Sequence, residues 1–253
     1  MELSLDRIAA TLEGLEETII SKLIDRAQFR VNRPAYTPGR SGFTGEGERS
    51  LFELRLRYTE KMDAQFGRFC VPEERPFTRR LPRSRREVNL PPTGLHLPAF
   101  DAVSVAPAVQ TTYLEFVPRF CAAGDDGQYG SSVEHDVFAL QALSRRIHYG
   151  GLYVAESKYR DDPAGYAALV AADDTAGMLA KLTRHEVEER IVQRVRSKVE
   201  QLQKHVNRRV RTCIDPDVLV TFYRDHVIPL TKRSEVLYLR HREPQVPRRK
   251  GGA

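Results

Sequence analysis

Tryptophan is absent from the 253 residues, and methionine and cysteine occur three times each. The cysteines, Cys70, Cys121 and Cys213, are odd in number and form no C-x-x-C pair. That excludes a disulfide framework or zinc module and fits a reducing compartment. No apolar run approaches the roughly 18 residues of a membrane span. The opening MELSLDRIAATLEGLEETII has neither a basic n-region nor a short apolar core, which leads us to expect a soluble, cytoplasmic protein. The familiar catalytic signatures are missing too: no Gly-rich phosphate loop, no G-x-S-x-G, no H-E-x-x-H. His135 and His148 are too far apart for a helical metal pair, so we expect neither a metal nor a cofactor. Alternating strand patterns and internal repeats are not evident, which makes the expected fold class all-α.

What is present is helical periodicity. Ile8, Leu12, Leu15, Ile19 and Leu23 mark one face of a helix over Leu5–Phe29. Arg33–Gly47, with two prolines and four glycines, reads as a loop, and Glu48–Phe69 as a second helix. Residues 72–98 hold six of the 15 prolines together with Arg75, Arg79, Arg80, Arg83, Arg85 and Arg86, a Pro/Arg-rich irregular segment wrapped on the helical body or mobile beside it. Helices are expected again over Pro107–Cys121 and Val133–His148, and a short pair near 163–181. Val187, Ile191, Val195 and Val199 form a further stripe, its start read as a capping box, Thr183 with Glu186. Asp215-Pro216 opens a last long helix in which Pro229 should make a kink. We read residues 1–240 as a single helical domain and 241–253 as a basic disordered tail.

The formal charge of +6 suits an anionic ligand. Nucleic acid is disfavoured, because the basic 75–86 arm carries only Phe77 as an interleaved aromatic and is flanked by Glu73, Glu74 and Glu87. Isolated charges beside apolar stripes stand out: Arg146, Lys158, Glu188, and Thr231 with Glu235. For any one of them a solvated surface role is the simpler reading. Thr231 and Glu235, however, are four residues apart on a face flanked by Ile228 and Leu239.

Taken in order, LDRIAATLEGLEETIISKLIDRAQF, GRFCVPEERPF, GDDGQYGSS, LSRRIHYGGLYVAESKY, EVEERIVQRV and VIPLTKRSEVLYL resemble the all-helical chorismate mutases of the large, effector-regulated fungal and plant type. The resemblance runs from Leu5 to Leu239. It implies a multi-helix, homodimeric enzyme that rearranges a small dianion, chorismate, to prephenate without a cofactor. It assigns Arg146 to a substrate carboxylate, Lys158 to a carboxylate and the ether oxygen, Glu188 to the ring hydroxyl, Thr231 to the ring carboxylate and a protonated Glu235 to the ether oxygen. It also places an aromatic amino acid effector between subunits at Arg68, Gly130 and Ser131. Four departures accompany it. Ala9 stands where the family has an Arg, with Arg7 on another helix face. Arg184 replaces a polar or acidic residue and is a candidate to bind the carboxylate left by Ala9. The segment between Arg146 and Lys158 is one residue longer, with Gly150 and Gly151 to absorb it. Glu134 replaces a hydroxyl that would face the effector. A 4-amino-4-deoxychorismate mutase, an isochorismate–pyruvate lyase and a non-catalytic chorismate mutase-like binding protein remain open as alternatives.

Overall fold

The structure is a computed structural model that describes residues 4–244. Ten helices are connected in the order α1 (Leu5–Arg26), α2 (Leu51–Gln65), α3 (Ala106–Phe120), α4 (Tyr129–Tyr149), α5 (Ala155–Asp161), α6 (Pro163–Ala171), α7 (Thr175–Leu182), α8 (His185–Leu202), α9 (Pro216–Phe222) and α10 (Ile228–His241). The described residues contain no strand.

The apolar stripes set the packing. Ile19, Ile20 and Leu23 of α1 are buried against Val133, Val137, Leu140, Leu143 and Ile147 of α4, and Val195 and Val199 of α8 close the same core. Burying a side chain of this size contributes about 1.5–3 kcal/mol, so the α1–α4 seam dominates the ledger of apolar contacts. A polar knot sits inside it. The fully buried Arg26 donates to Asp136 at 2.7 Å, and Asp136 also accepts from Tyr36 at 2.6 Å and Tyr113 at 2.7 Å. Each of those groups is satisfied by the others, which is the condition for carrying a charge pair in a core.

Several ends differ from the sequence expectation. α2 starts at Leu51 because Ser50 and Glu53 form a reciprocal capping box. The box expected at Thr183 and Glu186 does not form: Arg184 occupies the cap position, and the Thr183 hydroxyl is spent on the Leu179 carbonyl, 2.7 Å away in the last turn of α7. The helix that Asp215 opens runs on through a π turn at Tyr223–Val227, and Pro229 follows that turn almost directly, where the altered bonding accommodates a residue with no N–H. Residues 72–98 are irregular, as expected, but tied to the body. Arg75 is buried and donates to Asp101, Phe69 O and Val71 O, while His96 N donates to the Tyr238 hydroxyl. Residues 241–244 are not a tail. Arg242 pairs with the buried Glu156 at 2.7 Å and lies 3.8 Å over the Tyr159 ring, and Glu243 N donates to His96 O. The remainder of the expected tail, 245–253, lies outside the described residues.

The junction of α4 and α5 is the other π turn, Gly150–Val154. It packs directly on α10: a Cβ at Gly150 would come within 2.7 Å of Thr231 Cγ2, and one at Gly151 within 2.1 Å of Ser234 Oγ. Gly151→Ala should therefore push α10 away at the turn that carries Thr231 and Glu235. We expect a loss of about 1–3 kcal/mol in denaturant unfolding, the usual cost of overpacking. Stability equal to that of the parent chain would show that the contact relaxes freely.

Candidate active site

A cavity of about 360 Å³ opens between α1, α4, the π turn with α5, α8 and α10. Arg146, Lys158, Glu188, Thr231 and Glu235, from four separate stretches of sequence, all line it. So do Ala9 and Arg184. Arg7 does not; it belongs to a different cavity on the other side of α1, as its helical offset from Ala9 requires.

The extra residue between Arg146 and Lys158 is accommodated by the π turn. Twelve residues of unbroken α-helix would rotate the two side chains about 120° apart, whereas a wider turn that absorbs one residue leaves about 20°. Both cations consequently reach one cavity.

Arg146 is buried and donates to Thr231 Oγ1 at 2.8 Å, and Thr231 in turn donates to Val227 O at 2.8 Å. A second guanidinium nitrogen lies 3.7 Å from Glu16, and its Nε has no hydrogen-bond partner. The buried Glu16 was not singled out from sequence. It accepts two hydrogen bonds from Arg194, at 2.8 and 2.9 Å, with Lys198 at 3.7 Å, so it fastens α1 to α8 behind Arg146. Its signal was present: Glu16 follows Leu12 by four and precedes Ile19 by three, inside the apolar stripe.

Lys158 donates to Leu182 O at 2.6 Å, at the end of α7, and to Glu235 Oε2 at 3.4 Å. Two influences on Glu235 conflict. Burial raises its pKa by penalising the carboxylate, and Lys158 lowers it; burial is the larger, and the net direction is upward. Glu188 is held at 2.5 Å by Lys232, a second residue that sequence reasoning passed over, with no motif to mark it. Five cations, Arg146, Lys158, Arg184, Arg190 and Lys232, face Asp6, Asp161 and Glu188 across the cavity. Cations therefore outnumber the acidic groups of the lining even with Glu235 counted among the acids, which suits an anionic ligand. Arg184 is exposed, so it stands at the cavity mouth.

The three other candidates are not gathered in one chain. Arg68 donates to Asp63, Glu74 and Gln141. Gly130 and Ser131 lie in the first turn of α4, about 16 Å along the helix from Gln141. Glu134 is not a bare charge; Arg55 binds it at 2.7 Å.

No family model matches the chain. Individual proteins do. Chorismate mutase 2 of Arabidopsis thaliana is 38% identical over 250 residues, covering 95% of this chain and 93% of that protein. A chorismate mutase of Trichoderma parareesei is 36% identical over 257 residues, covering 95% and 93%. Among solved structures, a Candida albicans chorismate mutase in complex with L-Trp superposes with a TM-score of 0.87 at 31% identity, covering 95% of this chain and 92% of the other. With the identity, the coverage and the all-helical architecture in agreement, this chain belongs to the chorismate mutases of plants and fungi.

Proposed function

We propose that the cavity described above binds chorismate and promotes its rearrangement to prephenate, with Arg146, Lys158, Glu188, Thr231 and Glu235 as the working groups. The observation that carries this reading is their convergence, from four stretches of sequence, on one cavity with a cationic excess. The reaction is an intramolecular pericyclic shift and needs no nucleophile. The protein has to hold a flexible dianion in its compact reactive form, which supplies several kcal/mol. It also has to stabilise negative charge that grows on the breaking ether oxygen.

Arg146 supports the first task. Its guanidinium lines the cavity and is anchored by Thr231, so it is preoriented toward a substrate carboxylate. Thr231 lies beside it for the same carboxylate or its neighbour. Lys158 and Glu235, 3.4 Å apart, support the second by meeting the ether oxygen together. An ether oxygen only accepts, so Glu235 helps only as the acid, the form burial favours. Glu188, braced by Lys232, accepts from the ring hydroxyl. Of the three related cyclohexadiene dianions, chorismate is favoured by the named activities of the relatives. Arg184 at the mouth replaces the guanidinium missing at Ala9 and takes the second carboxylate.

A homodimer and a cytoplasmic location complete the reading. No described helix is long and apolar enough to cross a membrane. Tyr58, Met62 and Phe66 repeat every four residues on the exposed side of α2, with Phe138 of α4 exposed as well. Such an apolar stripe invites a self-complementary contact. In such a dimer the family resemblance brings Arg68 of one copy beside Gly130 and Ser131 of the other, which a single chain keeps apart. An aromatic amino acid seated there would meet Arg68 already engaged by two carboxylates, and Glu134 engaged by Arg55.

Four outcomes test these assignments. Incubated with chorismate, isochorismate and 4-amino-4-deoxychorismate, the protein should convert chorismate, with prephenate identified by mass spectrometry. Its rate should fall as pH rises through the elevated pKa of Glu235, and Glu235→Gln, a donor at every pH, should flatten that profile. A profile unchanged in the variant would remove Glu235 from the mechanism. Arg184→Ala should lower kcat/KM by about tenfold or more, the worth of one charged hydrogen bond, and adding Arg at Ala9 should restore much of it. Unaltered catalysis would place Arg184 outside the substrate's reach. Finally, Met62→Glu should convert a dimer to a monomer in analytical ultracentrifugation; a dimer that persists would move the interface elsewhere.

A further inference from the structure

Lys232 follows Thr231 in α10 and stands three residues before Glu235, and all three side chains line the cavity. Its ammonium lies 2.5 Å from Oε1 of Glu188, which projects from the first turn of α8. Both side chains are half-buried, so water screens the pair only in part. The other oxygen, Oε2 of Glu188, accepts no hydrogen bond among the described residues. The cavity wall therefore offers one open acceptor on a carboxylate whose charge is already matched.

We propose that Lys232 sets substrate specificity by acting through Glu188, favouring a hydroxyl on the substrate ring and disfavouring an amino group at the same ring position. The proposal rests on the reading that Glu188 meets the ring hydroxyl. A hydroxyl donates to Oε2 and brings no charge, so the ion pair stays as it is. The amino group of 4-amino-4-deoxychorismate is an ammonium at neutral pH. Bound to Oε2 it would stand about 5 Å from the Lys232 ammonium, close enough for repulsion to offset much of what the carboxylate gives. Arg184 and Arg190, which line the same cavity, add to that repulsion. With a neutral side chain at position 232, Glu188 would carry an unmatched charge, and an unmatched carboxylate holds an ammonium more strongly than a hydroxyl.

Lys232 is thus a positioning residue, distinct in its effect from a simple brace. A brace holds Glu188 in place for either substrate, whereas a charge separates the two. Lys232 also lowers the pKa of Glu235, against the larger effect of burial. Glu235 is assigned to the ether oxygen, which both substrates share, so that influence alters both rates alike and leaves their ratio unchanged.

The test measures kcat/KM for chorismate and for 4-amino-4-deoxychorismate in the parent chain and in Lys232→Met, Lys232→Gln and Lys232→Arg. The parent should favour chorismate. Lys232→Met and Lys232→Gln should each shift the ratio toward the amino substrate by about tenfold or more, even where both rates fall. Lys232→Arg keeps the charge and should keep the parent ratio. A second measurement needs no variant: as a competitor of chorismate in the parent chain, the amino compound should show a Ki about tenfold or more above the KM for chorismate. A ratio unmoved in both neutral variants, a shift in Lys232→Arg as large as in Lys232→Met, or an amino compound that competes on equal terms in the parent would each overturn the proposal. A parent chain that converts neither compound would instead overturn the functional reading on which the proposal rests.

Discussion

One residue more than an α-helix can absorb in phase separates Arg146 from Lys158, and the π turn that takes it up is the constraint on which the site depends. Without that turn the ammonium and the guanidinium would point to different sides of the α4–α5 rod. The turn also needs glycine at Gly150 and Gly151, because α10 passes within side-chain distance of both. Phase and close approach are thus satisfied by the same five residues. They bring Thr231 and Glu235 of α10 opposite the two cations, and the cavity is the space left between.

Electrostatics then divides the buried carboxyl groups by environment. Asp136 and Glu156 are enclosed by hydrogen-bond donors from three sides, Arg26, Tyr36 and Tyr113 for the first and Arg242, Tyr238 and Arg160 for the second. Both hold helices together. Glu16 is a brace of the same kind, yet one of its cationic neighbours is Arg146, so it links the core to the cavity. Glu235 differs from all three, for its main contact is Lys158 at 3.4 Å and burial prevails over that attraction. Burial thus pushes Glu235 toward its neutral form while Lys158 beside it pulls the other way.

The irregular 72–98 segment has a structural role that its composition conceals. Arg75 is a buried clamp rather than part of a basic arm, and residues 90–93 roof a cavity against α1. Its remaining arginines, from Arg79 to Arg86, are solvated. Proline denies this stretch a helix, and the donors and acceptors so released are tied instead to neighbouring helices, as in the Arg85 N to Gln65 O bond.

The local pattern of the chain determined most of the helices. Period-3.6 stripes place α1, α3, α4 and α8 within a few residues, because burial of one face is a property that sequence records directly. Helix ends were legible only where a side chain had no rival partner. Asp215 caps α9 as its sequence indicates, but the hydroxyl of Thr183 was claimed by the preceding helix. The five residues proposed to act were legible through family likeness, not through spacing, since no sequence interval relates Arg146 to Thr231. Their meeting in one cavity, the upward shift of the Glu235 pKa, and the contacts of Glu16 and Lys232 were decided by tertiary structure. Each depends on which charges and how much low-dielectric protein surround a group. Distance through space sets that, and distance along the chain does not.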